Sequence, residues 1–117
     1  MATRRRGFQI GEKIRMAVAS QLARTADPRF SLVTITSVVV SPDLRHAKIY
    51  WLVTGDEERR AEVKEAFESA AGMFRRAIGA ELGLRFVPEI RFYYDDTLDT
   101  AEEVERLFAR INADSGK

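Results

Sequence analysis

Most of the basic residues in this chain are arginines. The 117 residues include 15 arginines and 4 lysines, yet the formal net charge is only +1. Residues 1–50 contain nine basic and three acidic residues, whereas residues 92–117 contain three basic and seven acidic residues. A guanidinium group binds two phosphate oxygens at once. The uneven charge therefore predicts a basic surface for a polyanion, with acidic segments held away from it.

The candidate phosphate-binding residues come from several separate stretches of the chain. Residues 1–7 form a predicted flexible basic arm, and Arg75 and Arg76 lie near the start of a predicted helix, where backbone N–H groups favour phosphate. Lys48 and Arg91 share a predicted sheet face with tyrosines that could stack on bases, or they only cover that open face. The full set is Arg4, Arg5, Arg6, Lys13, Arg15, Arg29, Arg45, Lys48, Arg75, Arg76, Arg85 and Arg91.

The sequence predicts no catalytic, cofactor or metal site. Cysteine is absent, which excludes disulfides, thiolate zinc sites and cysteine nucleophiles. His46 is the only histidine, and although Ser41 and Asp43 are close in sequence, no oxyanion donor accompanies them. Adjacent acidic residues at 95–96 and 102–103 rarely direct both carboxylates at one ion, so we expect them to cap helices. A small hydrolase that uses His46 is kept only as a third alternative.

Composition places the chain among soluble one-domain proteins. Hydrophobic residues make up 45% and charged residues 32%, and one core accounts for a chain of this length. No apolar run reaches the ~20 residues that a membrane span requires. The arginine-rich start has no apolar stretch behind it, so no secretory signal is expected. We expect a cytoplasmic protein that does not enter a membrane.

The first half of the chain predicts a helix followed by two strands. Apolar residues recur at three- and four-residue steps over residues 8–24, and the Asp27-Pro28 pair ends this helix. A strand over 32–40 shows a slip in its alternation near Thr36-Ser37, as a β-bulge produces. A short turn leads to a second strand over 46–54, which is therefore antiparallel to the first.

The second half predicts two helices, a third strand and a C-terminal helix. Asp56 is a candidate N-cap, and Ala70-Ala71-Gly72 interrupts the helical pattern with a kink. After more than 30 connecting residues, the strand over 89–94 can pair in parallel with the second strand. A capping box at Thr100–Glu103 predicts the last helix. Large aromatic residues are assigned to the core: Trp51, Phe67, Phe74 and Phe92.

These elements predict an α+β domain of two layers, with a three-stranded mixed sheet and helices on one face. The domain is expected to cover residues 1–99. Residues 100–117 would hold a short C-terminal helix, which either packs or orders against a partner, and a loose tail.

The order α-β-β-α-kink-α-β resembles the type II KH domain, an RNA-binding fold. The local sequence is similar to the ribosome-binding factor A family over residues 4–99. The similarity rests on the order and spacing of several short segments. They are Asp27-Pro28-Arg29, Val40-Ser41-Pro42-Asp43-Leu44, Ala47-Lys48-Ile49-Tyr50, Ala70-Ala71-Gly72, Leu84-Arg85-Phe86-Val87-Pro88-Glu89-Ile90 and Phe92-Tyr93-Tyr94-Asp95.

The resemblance implies a bacterial ribosome-assembly factor without enzymatic activity. It implies binding to the free small (30S) ribosomal subunit and its 16S rRNA during late maturation and 5′-end processing, with neighbouring ribosomal proteins or assembly factors as further partners. The twelve basic residues then become candidate RNA-binding residues of a monomer. A KH domain clamps single-stranded RNA with a Gly-x-x-Gly loop, but this chain has Ala70-Ala71-Gly72 at the kink. Structured RNA that is read through its backbone is therefore the expected target.

A second hypothesis is a protein-interaction or dimerisation module on the same scaffold, with the C-terminal helix as its docking element. Concentration-dependent mass without RNA retention would favour that alternative.

Overall fold

The first helix of the computed structural model begins earlier than the sequence predicts. The structure describes residues 2–83 and 85–115, and α1 covers Ala2–Arg24. The backbone of residues 2–7 continues this helix instead of forming the flexible arm we expected, because alanine and arginine favour helix and no proline interrupts them. Ile14 and Val18 of the predicted apolar stripe are fully buried. A 3-10 turn at Pro28–Phe30 follows α1.

The three strands form one mixed sheet in the order β1-β2-β3. They are β1 at Thr34–Val40, β2 at His46–Leu52 and β3 at Glu89–Tyr94. β1 and β2 are antiparallel, whereas β2 and β3 are parallel, as predicted. The register shifts between Ile35 and Ser37, so the predicted bulge is confirmed.

Two further helices connect β2 to β3 through the predicted kink. α2 covers Glu57–Ser69, and the Asp56 carboxylate accepts a 3.0 Å hydrogen bond from the Arg59 backbone N–H, which confirms the N-cap. α3 covers Ala71–Leu82. Ala70 alone separates the two helices, so the kink occupies a single residue.

The core lies between the helices and one face of the sheet. Trp51, Phe67 and Phe74 are almost fully buried, as predicted. Phe92 is half-buried and stacks on Phe67 with ring centroids 4.4 Å apart. This arrangement confirms the two-layer α+β fold with helices on one face.

The last helix, α4, covers Thr97–Ser115 and starts before the predicted capping box. The Asp95 carboxylate accepts a 3.0 Å hydrogen bond from the Thr97 backbone N–H, and Thr100 already lies inside the helix. Every side chain from 101 to 113 is exposed, so the described part of α4 does not pack on the core. Of the predicted loose tail, residues 116–117 lie outside the described residues, as does Leu84 of the predicted loop before β3.

Candidate nucleic-acid interface

Ion pairing separates the arginines of this chain into two groups. Arg29 pairs with Asp27 at 2.8 Å and Arg60 with Asp99 at 3.0 Å. Three more arginines have carboxylate partners at 3.3–3.8 Å: Arg59, Arg91 and Arg106. The remaining arginines whose side chains are described form no ion pair with another described residue: Arg5, Arg6, Arg15, Arg24, Arg45, Arg75, Arg76, Arg85 and Arg110. These unpaired guanidiniums can bind phosphate without first losing a carboxylate.

Three unpaired arginines line one groove at an end of the sheet. Arg6 comes from α1, Arg45 from the β1–β2 turn and Arg85 from the loop between α3 and β3. The groove has a volume of about 620 Å³. We call these residues the groove cluster. The cluster is built from three distant stretches of the sequence.

Backbone hydrogen bonds hold two of the three stretches together. The Glu89 N–H donates to the Arg45 carbonyl at 2.8 Å and joins the start of β3 to the β1–β2 turn. Within that turn, Leu44 has a left-handed backbone with φ of 62°. The Asp43 carboxylate accepts from the Ser41 hydroxyl at 2.6 Å and from the Arg45 N–H at 3.1 Å. These bonds lower the pKa of Asp43, and through them the Asp43 carboxylate stabilises the turn.

A second group of unpaired arginines lies near the kink. Arg75 and Arg76 are exposed in the second turn of α3. Arg24, at the end of α1, shares a shallow groove with Ala77, the residue that follows Arg76. We call Arg24, Arg75 and Arg76 the kink cluster. Glu81 lines the same shallow groove, so a carboxylate lies on this helical surface between the two clusters.

The start of α3 adjoins the end of α2, which changes how Arg75 and Arg76 can bind phosphate. Ala70 caps both helices, and no side chain caps the start of α3. The positive end of the α3 dipole therefore lies beside the negative end of the α2 dipole. Arg75 and Arg76 would bind phosphate through their own charges.

Lys48 and Arg91 lie on the opposite side of the domain. They are cross-strand neighbours in β2 and β3, on the sheet face that the helices do not cover. The Lys48 ammonium lies 5.9 Å from the centre of the Tyr93 ring, which is 5.8 Å from the Tyr50 ring. The predicted basic and aromatic sheet face is therefore present, but it is separate from the groove cluster.

The other predicted residues divide among several places. Lys13 lines a cleft with Arg6 and Leu82, beside the groove cluster. Arg15 faces the other way and lines a groove with β1 residues. Arg29 lies in the 3-10 turn, with its guanidinium already paired. Arg5 is exposed on α1, and the side chain of Arg4 lies outside the described residues.

The expectation of one continuous cationic surface is thus only partly met. The fold brings Arg6, Lys13, Arg45 and Arg85 to one end of the domain and Arg75 and Arg76 to the kink. Sequence reasoning did not single out Arg24, which lines the shallow groove on α3, or Phe86, which lines the groove that holds the groove cluster. Arg24 was visible as the basic residue in the last turn of a helix, but only the packing of α1 against α3 puts it in the same groove as Ala77.

The geometry around His46 does not build a catalytic site. The imidazole Nδ1 lies 3.6 Å from the Glu89 carboxylate, and both side chains are largely exposed. The Ser41 hydroxyl instead donates to Asp43 and accepts from the His46 backbone N–H. Residues 2–83 and 85–115 contain no group of three side chains that could hold a metal ion. In the same ranges, no helix is long and apolar enough to cross a bilayer.

Comparisons with known proteins agree on one family. The family model for ribosome-binding factor A matches residues 6–108. A ribosome-binding factor A from Halothermothrix orenii is 37% identical over 109 residues, which cover 92% of this chain and 89% of the relative.

Known structures of ribosome-binding factor A share the fold of this chain. The crystal structure of ribosome-binding factor A from Thermus thermophilus aligns with a TM-score of 0.66 at 22% identity, over 75% of this chain and 94% of that one. A homology model of the Thermus thermophilus factor, fitted into a cryo-EM map of a 30S complex, aligns with a TM-score of 0.60 at 22% identity, over 73% of this chain and 90% of that one. The family match, which spans both arginine clusters, shows that this chain belongs to the ribosome-binding factor A family.

Proposed function

We propose that this protein binds the small (30S) ribosomal subunit through its 16S rRNA. It assists late maturation of the subunit, including processing of the 5′ end of the rRNA precursor. Membership of the ribosome-binding factor A family supports this role, and the Thermus thermophilus relative has been placed in a 30S complex. We further propose that it acts by binding alone, without catalysing a reaction, and in the cytoplasm, where bacterial subunits mature.

The observation that carries the proposal is the set of unpaired arginines on the α1 and α3 side of the domain. Six of them form the groove and kink clusters. Each guanidinium that neutralises a phosphate releases a counterion, so binding gains free energy mainly at low salt. Because the kink has no Gly-x-x-Gly loop, we propose that most contacts are to the backbone of structured rRNA.

Cosedimentation with purified 30S subunits at several salt concentrations tests this function. If all six clustered arginines contact phosphates, affinity should fall by about 10³ between 50 and 200 mM salt. Binding that does not depend on salt would contradict the phosphate mechanism. A wild-type protein that does not sediment with 30S subunits at low salt would contradict the proposed function itself.

A double charge-reversal variant tests whether the kink cluster contacts the rRNA. Arg75→Glu with Arg76→Glu should weaken subunit binding at least tenfold while the domain stays folded, because both side chains are exposed. Lys64→Glu with Arg110→Glu is the matched control, since it changes the charge equally at exposed positions outside both clusters. Equal effects of the two pairs would remove Arg75 and Arg76 from the interface.

The exposed apolar residues of α4 favour a second candidate function, docking of another protein. Val104, Leu107 and Phe108 are 42–61% exposed and recur at helical spacing. The acidic residues around them would suit a basic ribosomal protein or assembly factor. Light scattering over a range of concentrations tests the remaining alternative, dimerisation, which would raise the mass above that of the monomer we propose.

A further inference from the structure

We propose that the groove lined by the groove cluster binds one unpaired nucleotide of the RNA. The base would lie against the ring of Phe86, and its phosphate would be held by Arg6, Arg45 and Arg85. This inference rests on the proposed function, because it names a specific contact within that RNA complex. It adds a single-stranded contact to an interface that otherwise binds RNA through its backbone.

Phe86 provides an aromatic surface that the fold does not use. Its side chain is 80% exposed, and it lies in the short loop between α3 and β3. The neighbouring walls of the groove are apolar: Ile10, Leu44, Val87 and Pro88. A base that stacks on an exposed aromatic ring typically improves affinity by about 5- to 150-fold.

The charge of the groove suits one phosphate group. Arg6, Arg45 and Arg85 form no ion pair with another described residue. Asp43 is the acidic residue in the lining, and its carboxylate already accepts hydrogen bonds from Ser41 and from the Arg45 backbone. Three guanidiniums and one carboxylate leave a formal charge of +2 around the groove.

The walls are held in place before a ligand arrives. The 2.8 Å hydrogen bond from the Glu89 N–H to the Arg45 carbonyl joins the bases of both loops, and Pro88 is buried. Gly83 ends α3 with a left-handed φ of 59°. A site whose backbone is already ordered loses less entropy when it binds.

Size and mixed chemistry together favour a nucleotide. The groove volume of about 620 Å³ lies within the ~300–1,000 Å³ range of small-molecule sites. A site for phosphate alone would not need an exposed aromatic ring. An acidic peptide would use the arginines but would gain little from Phe86.

The groove lies far from the kink, where a KH domain clamps RNA. α3 contains 12 residues between them, which corresponds to about 18 Å along the helix. Substitutions in the groove can therefore be separated from those in the kink cluster.

Fluorescence anisotropy with a labelled six-nucleotide oligoadenylate RNA tests the groove. Phe86→Ala should weaken binding at least fivefold, and Phe86→Trp should restore it, because indole also stacks on bases. Arg85→Ala should weaken binding by a similar factor. The matched controls are Phe108→Ala and Arg110→Ala, which remove similarly exposed side chains from α4; they should leave the affinity for the RNA unchanged.

Cosedimentation of the same variants with 30S subunits separates this inference from the proposed function. If the wild type binds subunits but Phe86→Ala matches Phe108→Ala with the oligonucleotide and matches the wild type with the subunits, the groove proposal is wrong and the function stands. Displacement by hexaglutamate with no effect of Phe86→Ala would instead indicate an acidic peptide. If free AMP binds as tightly as the oligonucleotide, the groove takes a free nucleotide and the proposal that it binds an RNA segment is wrong.

Discussion

The hydroxyl of Thr36 donates a 2.6 Å hydrogen bond to the carboxylate of Asp95. Thr36 is the bulge residue of β1, which the register passes over between Ile35 and Ser37. Asp95 follows β3, and its other carboxylate oxygen accepts from the Thr97 N–H at the start of α4. The bulge therefore positions the segment from which the C-terminal helix leaves the domain.

Loss of this hydroxyl should destabilise the protein. We expect Thr36→Val to lower the free energy of unfolding by about 1.5 kcal/mol, because the substitution removes a half-buried hydrogen bond to a charged acceptor. Urea denaturation followed by circular dichroism measures the change. Thr34→Val is the control, since Thr34 is exposed in the same strand; an equal effect at both positions would contradict the role of the hydrogen bond.

Asp95 should also make stability depend on pH in the acidic range. Hydrogen bonds from Thr36 and then Thr97 lower the pKa of Asp95 below its ordinary value of 3.8. A carboxyl whose pKa is lower in the folded state stabilises the protein above pH 3.8, and this contribution is lost as pH falls through the folded-state pKa.

Comparison with Asp95→Asn isolates this effect. The stability difference between wild type and variant should be largest near pH 6 and should shrink below pH 4, as measured by thermal unfolding across that range. A difference that stays constant from pH 6 to pH 2.5 would show that the ionised carboxylate is not the stabilising species. Asp27 and Asp43 also have lowered pKa values, so the wild type should lose further stability in acid.

The parts of the fold that could be predicted are those where the local residue pattern agrees with the pairing to a distant strand. The slip near Thr36-Ser37 was readable because apolar alternation has a period of two, and one extra residue inverts it. The start of α4 could not be predicted, because Thr100–Glu103 matches a capping box. The helix instead begins at Thr97, whose backbone N–H donates to Asp95, and the Asp95 carboxylate is held by Thr36 of a distant strand.

The site was less predictable than the fold, since charge patterns do not report which ends of elements meet. Parallel pairing of β2 and β3 implies that the segments before them are neighbours, and this brings Arg45 and Arg85 together. The position of Arg6 depends on how far α1 extends, and residues 1–7 contain helix-favouring residues but no apolar periodicity that would have shown the extension. Lys48 and Arg91 were correctly assigned to the outer sheet face, which is why they cannot join the groove cluster.

Alanine substitution at two glycines should change the free energy of unfolding in opposite directions. Gly55 has φ of 142°, and a Cβ there would lie 2.9 Å from Arg59 Cγ; we expect Gly55→Ala to destabilise the protein by about 1–3 kcal/mol. Gly72 lies in α3, where a Cβ would meet only the Arg76 guanidinium at 3.6 Å. We expect Gly72→Ala to stabilise the protein by up to about 1 kcal/mol. Urea denaturation of both variants measures the two changes.

Gly72→Ala also tests the kink. If RNA binding requires the kink to change its backbone conformation, the stabilised variant should lose affinity for 30S subunits. We expect unchanged affinity, because a kink of one residue without a Gly-x-x-Gly loop presents the side chains of Arg75 and Arg76 on an already formed helix. Loss of subunit binding in a variant of raised stability would contradict this view.

The core aromatic cluster should tolerate truncation poorly. Phe67 is fully buried, stacks on Phe92 and contacts the rings of Trp51 and Phe74. Phe67→Ala should lower the free energy of unfolding by about 3–5 kcal/mol, a large part of the stability of a domain this small. Thermal unfolding measures the loss, and a decrease below about 1 kcal/mol would mean that the core collapses around the cavity.

Deletion of residues 101–117 should leave the domain folded. All side chains from 101 to 113 are exposed, and the start of α4 is held by Asp95 and by the Arg60–Asp99 ion pair, which the deletion keeps. Since no side chain from 101 to 113 belongs to the core, the free energy of unfolding should change by less than about 1 kcal/mol. Thermal unfolding of the shortened chain measures this, with Asp99→Ala in the full-length chain as the control for loss of the ion pair. A cooperative transition close to that of the wild type would show that residues 1–100 fold on their own, in support of a domain that covers residues 1–99, whereas a lost or much lowered transition would show that α4 supports the core.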